Sequence, residues 1–163
     1  MTTRDVPPQI FSTRRKTARA ERARALQVRG GAAGWLAEAF FEDALERIEF
    51  MQLEPDRALV LGAGGSELGR MLERKHVRVT VADPDSLDLE APYPVGGFGL
   101  IVSLGALDTV NDLPGALIHQ RAALGPGGVM IATMVGAGSL LFTWPGSDPS
   151  LKPLVVSGHM DVV

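Results

Sequence analysis

A chain of 163 residues, 45% hydrophobic and 21% charged, is of a size for one domain with its own core, and its composition is that of an ordinary soluble protein. It has no cysteine, which excludes a disulfide framework and thiolate chemistry and fits a cytoplasmic location; no apolar run approaches the roughly 20 residues that span a bilayer. The net charge of −3 conceals an asymmetry, because residues 1–30 hold eight of the 16 Lys/Arg and two of the 19 Asp/Glu, a net +6 against −9 for the rest.

Such a basic arm suits nucleic acid, an acidic partner or an organellar presequence, and equally a solvated helix lying on an acidic body. The last is the expectation. Nucleic acid is ranked low, since no basic surface interleaved with aromatics supports it. Pro7-Pro8 breaks any helix in the first ten residues, and 11–28 then reads as a basic helix ended by Gly30-Gly31. Across 33–51, Trp35, Leu36, Ala39, Phe40, Ala44, Leu45, Ile48 and Met51 recur every three to four positions, which predicts an amphipathic helix with Trp35 and Phe40 in the core.

Residues 58–61 read as a buried strand that stops at Gly62, and a helix begins near Ser66 and runs to about Lys75. A strand turning through glycines into a helix gathers free N–H groups and the positive helix end, which favours an anionic or nucleotide-like ligand. The next strand, 77–82, ends at Asp83, 21 residues after Gly62, where βαβ units hold a ribose hydroxyl. A dinucleotide site is disfavoured, because Glu67 stands where its last glycine belongs. The prolines and glycines of 83–97 forbid a long helix there, and 98–104 is again an apolar strand. A helix opens near Asn111 or Asp112 as cap, with Pro114 in its first turn, and stops at Gly125-Pro-Gly-Gly128; the strand 129–135 follows. Alternation of this kind predicts an α/β fold with a parallel sheet. Asp108 reads as a turn residue, His76 as a solvated surface residue and His119 as lying on a helix face.

Gly62-Ala63-Gly64, Asp83, Pro92-Tyr93, the strand 98–103, the run Leu107-Asp-Thr-Val-Asn-Asp-Leu-Pro-Gly-Ala-Leu117 and Leu124-Gly-Pro-Gly-Gly128 together resemble class I S-adenosylmethionine-dependent methyltransferases. The likeness is strongest to bacterial relatives of the mitochondrial complex I assembly methyltransferase-like factors, and the Pro8-Gln-Ile-Phe11 start resembles them too. The resemblance implies a Rossmann-like parallel sheet, preceded by helices, over 31–140, with S-adenosylmethionine as cofactor. It implies that the backbone at Gly62 and Gly64 meets the methionine part, that Asp83 binds the ribose, and that Asp88 or Glu90 lies near the adenine. It points to no catalytic base or acceptor, and it allows a non-catalytic factor that binds a protein partner.

The chain departs from the family at Val60, where an acid is usual two residues before the first glycine. It departs again at Ser66, the third glycine position, and at Gly99, an acid position after the aromatic that opens the central strand. Only 14 residues separate Asp83 from Phe98, so the sheet is expected to lack one helix and one edge strand and the cofactor site to be partly degenerate. Residues 142–163 resemble instead the first metal-ligand strand of zinc aminoacylases and carboxypeptidases, with His159 as ligand and Asp161 orienting it. A catalytic zinc needs about three protein ligands, so this tail alone is expected to hold no metal, and a fused, recombined or mis-assembled reading frame would explain the change near Leu140.

Overall fold

A computed structural model of the chain describes residues 9–28, 34–62, 64–83 and 86–135. In order these form α1 (Thr13–Val28), α2 (Trp35–Phe50), β1 (Arg57–Gly62), α3 (Gly65–Arg74), β2 (Arg78–Ala82), β3 (Phe98–Leu104), a 3-10 turn (Leu107–Thr109), α4 (Leu113–Ala123) and β4 (Leu124–Thr133). The Pro7-Pro8 start, the 142–163 tail with His159 and Asp161, and the boundaries expected near 30 and 140 fall outside the described residues. Among the described residues, no helix is long and apolar enough to cross a membrane.

The four strands make one parallel sheet in the order β2-β1-β3-β4. Strand alternation splits the core in two. Ala58, Val60, Leu100, Val102 and Leu104 face α2 and α3, against Phe40, Ala44, Ile48, Leu68 and Leu72. Leu59, Leu61 and Ile101 face the other way, onto Ala116, Leu117 and Ala123 of α4 and onto Leu89 from the preceding loop. Because both faces are covered, β1 and β3 are continuous apolar runs rather than alternating ones. β2 is the edge among the described residues, with Thr80 and Val81 exposed. No helix or strand lies between Ala82 and Phe98 there, in agreement with the shortened middle expected from the spacing.

Two expectations are corrected. Trp35 is 60% exposed rather than in the core. It stands five residues before Phe40, about 500° of helix rotation at 3.6 residues per turn, which turns it to the far side of α2. Phe40, Ala44 and Ile48, spaced by four, carry the buried stripe. The second correction concerns β4, which pairs from Leu124, before the glycines, instead of starting at residue 129. Phe98 pairs with Leu124 and Leu100 with Val129, so 125–128 loop out as a bulge opposite Gly99. Gly127 takes φ +69° there, and a side chain at Gly128 would strike the Phe98 carbonyl at 2.7 Å.

Candidate functional site

In a doubly wound sheet the ligand crevice opens where the strand order reverses, outside the carboxyl ends of the strands. Here that point lies between β1 and β3, where Gly62 is the register partner of Leu104. Gly62 has φ +92°, and a Cβ on it would stand 2.1 Å from the Leu104 carbonyl oxygen. Its glycine is thus required by the packing of two strand ends, before any ligand is considered. Gly64, at φ +79°, is the N-cap of α3, and no side chain caps the first-turn N–H groups. Those N–H groups and the helix dipole leave a positive end at the crevice.

Leu61 pairs with Ala82, so the chain places Asp83 immediately beyond β2, beside Gly62. The turn after β2 is fixed by Ser86, whose hydroxyl accepts from the Asp83 N–H at 3.0 Å and donates to the Asp83 carbonyl at 2.8 Å. Gly62, Gly64 and Asp83, three of the residues singled out in the sequence, therefore share one edge. Asp88 lies farther along the loop that leaves β2. It is exposed, its Oδ1 accepts the Glu90 N–H at 3.0 Å, and it lines a cavity of about 40 Å³ with Lys16, Leu89, Glu90, Ala106, Thr109 and Val110.

Glu90 is held by the protein's own groups. Its Oε1 accepts the N–H groups of Asn111 (2.8 Å) and Asp112 (2.7 Å), and its Oε2 faces Lys16 Nζ at 3.4 Å. Burial works against its charge, but the two N–H groups and Lys16 outweigh it and hold the carboxyl below its ordinary range. Asp112 fulfils its expected capping role, accepting from the Gly115 N–H at 2.9 Å. Asp108 sits in the 3-10 turn and accepts the Val135 N–H at 3.2 Å. Burial raises its carboxyl above the ordinary value, against the opposing pull of that N–H and of Arg19. His76 is exposed at φ +64° just past α3, as expected of a solvated residue, and His119 is half-buried on α4.

The basic helix has a definite seat. Phe11 N–H donates to Asn111 Oδ1 at 2.7 Å, Asn111 Nδ2 donates to the Phe11 carbonyl at 3.1 Å, and Lys16 reaches Glu90. α1 thus lies on the loops that leave β2 and β3, which matches the expectation of a solvated helix on an acidic body. Neither Asn111's clasp nor Lys16's place in the site was read from the sequence. Gly105 was missed as well: it has φ +60°, and a Cβ would meet the Phe40 ring at 2.6 Å. A Ser-Leu-Gly-Ala run that ends an apolar strand was its only signal.

Two of the three departures, Val60 and Gly99, have packing explanations. Val60 is fully buried, and its Cγ1 would touch a Cβ on Gly65 at 3.3 Å, so this position serves the core. Ser66 is exposed in the first turn of α3. Gly99 is half-buried, and a Cβ there would come to 3.1 Å from Pro55 Cβ. Among the described residues no three His, Cys, Asp or Glu cluster to hold a metal ion.

No protein-family model matches the chain, and no curated protein does. Among solved structures, the chain is similar to the Burkholderia thailandensis 1,6-didemethyltoxoflavin-N1-methyltransferase, whose crystal structure holds 1,6-didemethyltoxoflavin and S-adenosylhomocysteine. Identity is 16% and the TM-score 0.59, over 85% of this chain and 72% of that one. The α/β Rossmann-like fold read from the sequence is the fold of this chain, and it is one that a methyltransferase shares.

Proposed function

We propose that the chain is a methyltransferase-like protein that takes S-adenosylmethionine at the crevice between β1 and β3. The observation that supports this most is the convergence of the Gly62–Gly64 turn, the uncapped start of α3 and Asp83 on one edge of a fold shared with an S-adenosylhomocysteine-bound methyltransferase. The fit is partial. Gly62 and Gly64 keep side chains away from the crevice, and Asp83 places a carboxylate at its edge, whereas Val60 and Gly99 bring no polar group in place of the family's acids, and Ser66 stands where the family has its third glycine. When bound, the cofactor would supply an activated methyl group; the chain's own residues bind and orient it. No described residue is placed as a catalytic base, so acceleration would come from positioning.

The second reading, a non-catalytic factor that binds a protein partner, is favoured by the acids missing at Val60 and Gly99, the shortened stretch between Asp83 and Phe98 and the basic arm. Isothermal titration with S-adenosylhomocysteine decides between them. Binding by the wild type, weakened about tenfold to a hundredfold in Asp83→Asn as a charge-assisted contact is lost, supports the cofactor site. Absence of heat and of any thermal shift at millimolar ligand overturns it.

A further inference from the structure

The attachment of α1 has a composition of its own. Across Thr13–Val28 the sequence has six Arg/Lys and one Glu, and none of its described side chains is fully buried. α1 is therefore held by polar contacts rather than by apolar burial. The contacts converge on two residues, Asn111, which clasps the backbone of Phe11 from both sides, and Glu90, which faces Lys16. Glu90 also accepts the first N–H groups before α4 with its other oxygen, and its own N–H is held by Asp88. Arg19 stands close enough to Asp108 to act on its charge. Lys16 closes one side of the 40 Å³ cavity, with the loop after β2 and the loop after β3 forming the others.

We propose that α1 is a latch over the carboxyl edge of the sheet and that Glu90 and Asn111 are its keeper. They are positioning residues whose release lets a nucleoside-sized ligand enter and loosens the 88–90 loop at the same time. The ligand half of this rests on the proposed function above; the latch itself does not. Closed, α1 and the two loops enclose a cavity of about 40 Å³ beside Lys16 and Glu90. The polar contacts holding α1 among the described residues are partly exposed, and each hydrogen bond of this kind shifts an equilibrium roughly three- to tenfold. Charge contributes to the hold, so added salt weakens it.

The test is amide hydrogen exchange on the full chain, comparing wild type, Asn111→Ala, Lys16→Gln, Glu90→Gln and, as control, Arg14→Gln. Asn111→Ala is expected to raise exchange across α1 about tenfold, for two hydrogen bonds lost. Lys16→Gln and Glu90→Gln raise it about threefold, and the Arg14→Gln control leaves it unchanged. Exchange in β1 and β3 stays as in wild type throughout. Raising salt to about 0.5 M speeds α1 exchange in wild type and has little effect in Lys16→Gln. Glu90→Gln retains a carbonyl oxygen for the Asn111 and Asp112 N–H groups, so it reports on the latch even if Asn111→Ala fails to fold. With S-adenosylhomocysteine as probe, opened variants bind and release it faster than wild type. Equal α1 exchange in wild type, Lys16→Gln and Glu90→Gln, or no response to salt, overturns the latch. Absence of S-adenosylhomocysteine binding in every variant overturns the proposed function, while the exchange data alone decide the latch.

Discussion

Gly62 separates packing from ligand binding, and Gly62→Ala makes the separation measurable. The residue has φ +92°, where an L side chain is strained, and the new Cβ would lie 2.1 Å from the Leu104 carbonyl oxygen. Left-handed backbone costs about 1–3 kcal/mol in a non-glycine residue. Relieving the clash means moving backbone, and overpacking of this kind costs roughly another 1–3 kcal/mol. The sum, about 2–6 kcal/mol, is a large part of the 5–15 kcal/mol that holds a typical domain. For a chain of 163 residues it lowers the melting temperature by roughly 5–20 °C. Thermal and urea unfolding, followed by circular dichroism without any ligand, measures it. Gly64→Ala is the comparison: it shares the positive φ, but its Cβ would meet nothing nearer than the Ala37 carbonyl oxygen at 3.4 Å, so it should lose only the strain part. A Gly62→Ala chain that melts within about 2 °C of wild type would refute the packing argument and leave ligand approach as the sole reason for the glycine.

Tyr93 is the chain's one tyrosine, so its ionisation can be followed by absorbance alone. Burial pushes its hydroxyl up to about 12, against a lowering by Gln120, and phenolate should therefore appear near pH 12 in the folded chain. The sign follows from the raised value: the contribution to stability is whole below the unfolded pKa of about 10 and is lost as pH rises through 12. A phenolate titration at pH 10 in folded protein would contradict this. Asp112→Ala removes the cap of α4 and should cost about 1 kcal/mol in urea unfolding. Trp35→Ala, on the solvent side of α2, should change stability by no more than about 0.5 kcal/mol, whereas Phe40→Ala should cost about 3–5 kcal/mol.

The strands and helices were legible because their signals are local. The apolar runs at 58–61 and 98–104 and the Asp112–Pro114 start needed only neighbouring residues to be read. The site was legible to the extent that it repeats a chain-order motif: Gly62, Gly64 and Asp83 follow from a turn and a spacing. Trp35 was misjudged because apolar recurrence every three to four residues does not say which side of a broad stripe faces the sheet. Glu90, Asn111, Phe11 and Lys16 were beyond reach for a different reason. Phe11 and Asn111 are 100 positions apart, Lys16 and Glu90 are 74 apart, and no local pattern marks polar partners at that distance. Gly99 was read as a lost acid; its approach to Pro55 shows a backbone cause that only the fold reveals.

The parallel sheet also sets the order in which the molecule can form. β1 gains its first partner 21 residues along the chain, where Arg57 meets Arg78, and its second 42 along, where Ala58 meets Leu100. β3 waits a further 29 residues for β4, from Leu100 to Val129. Long loops must close before any of these pairings yields a hydrogen bond, and topologies of that kind fold slowly. As the chain leaves the ribosome, the apolar residues of β1 remain without half of their sheet until residue 104 has emerged. During that interval α2 and α3, which precede β3 in the chain, carry the apolar residues that can shelter them.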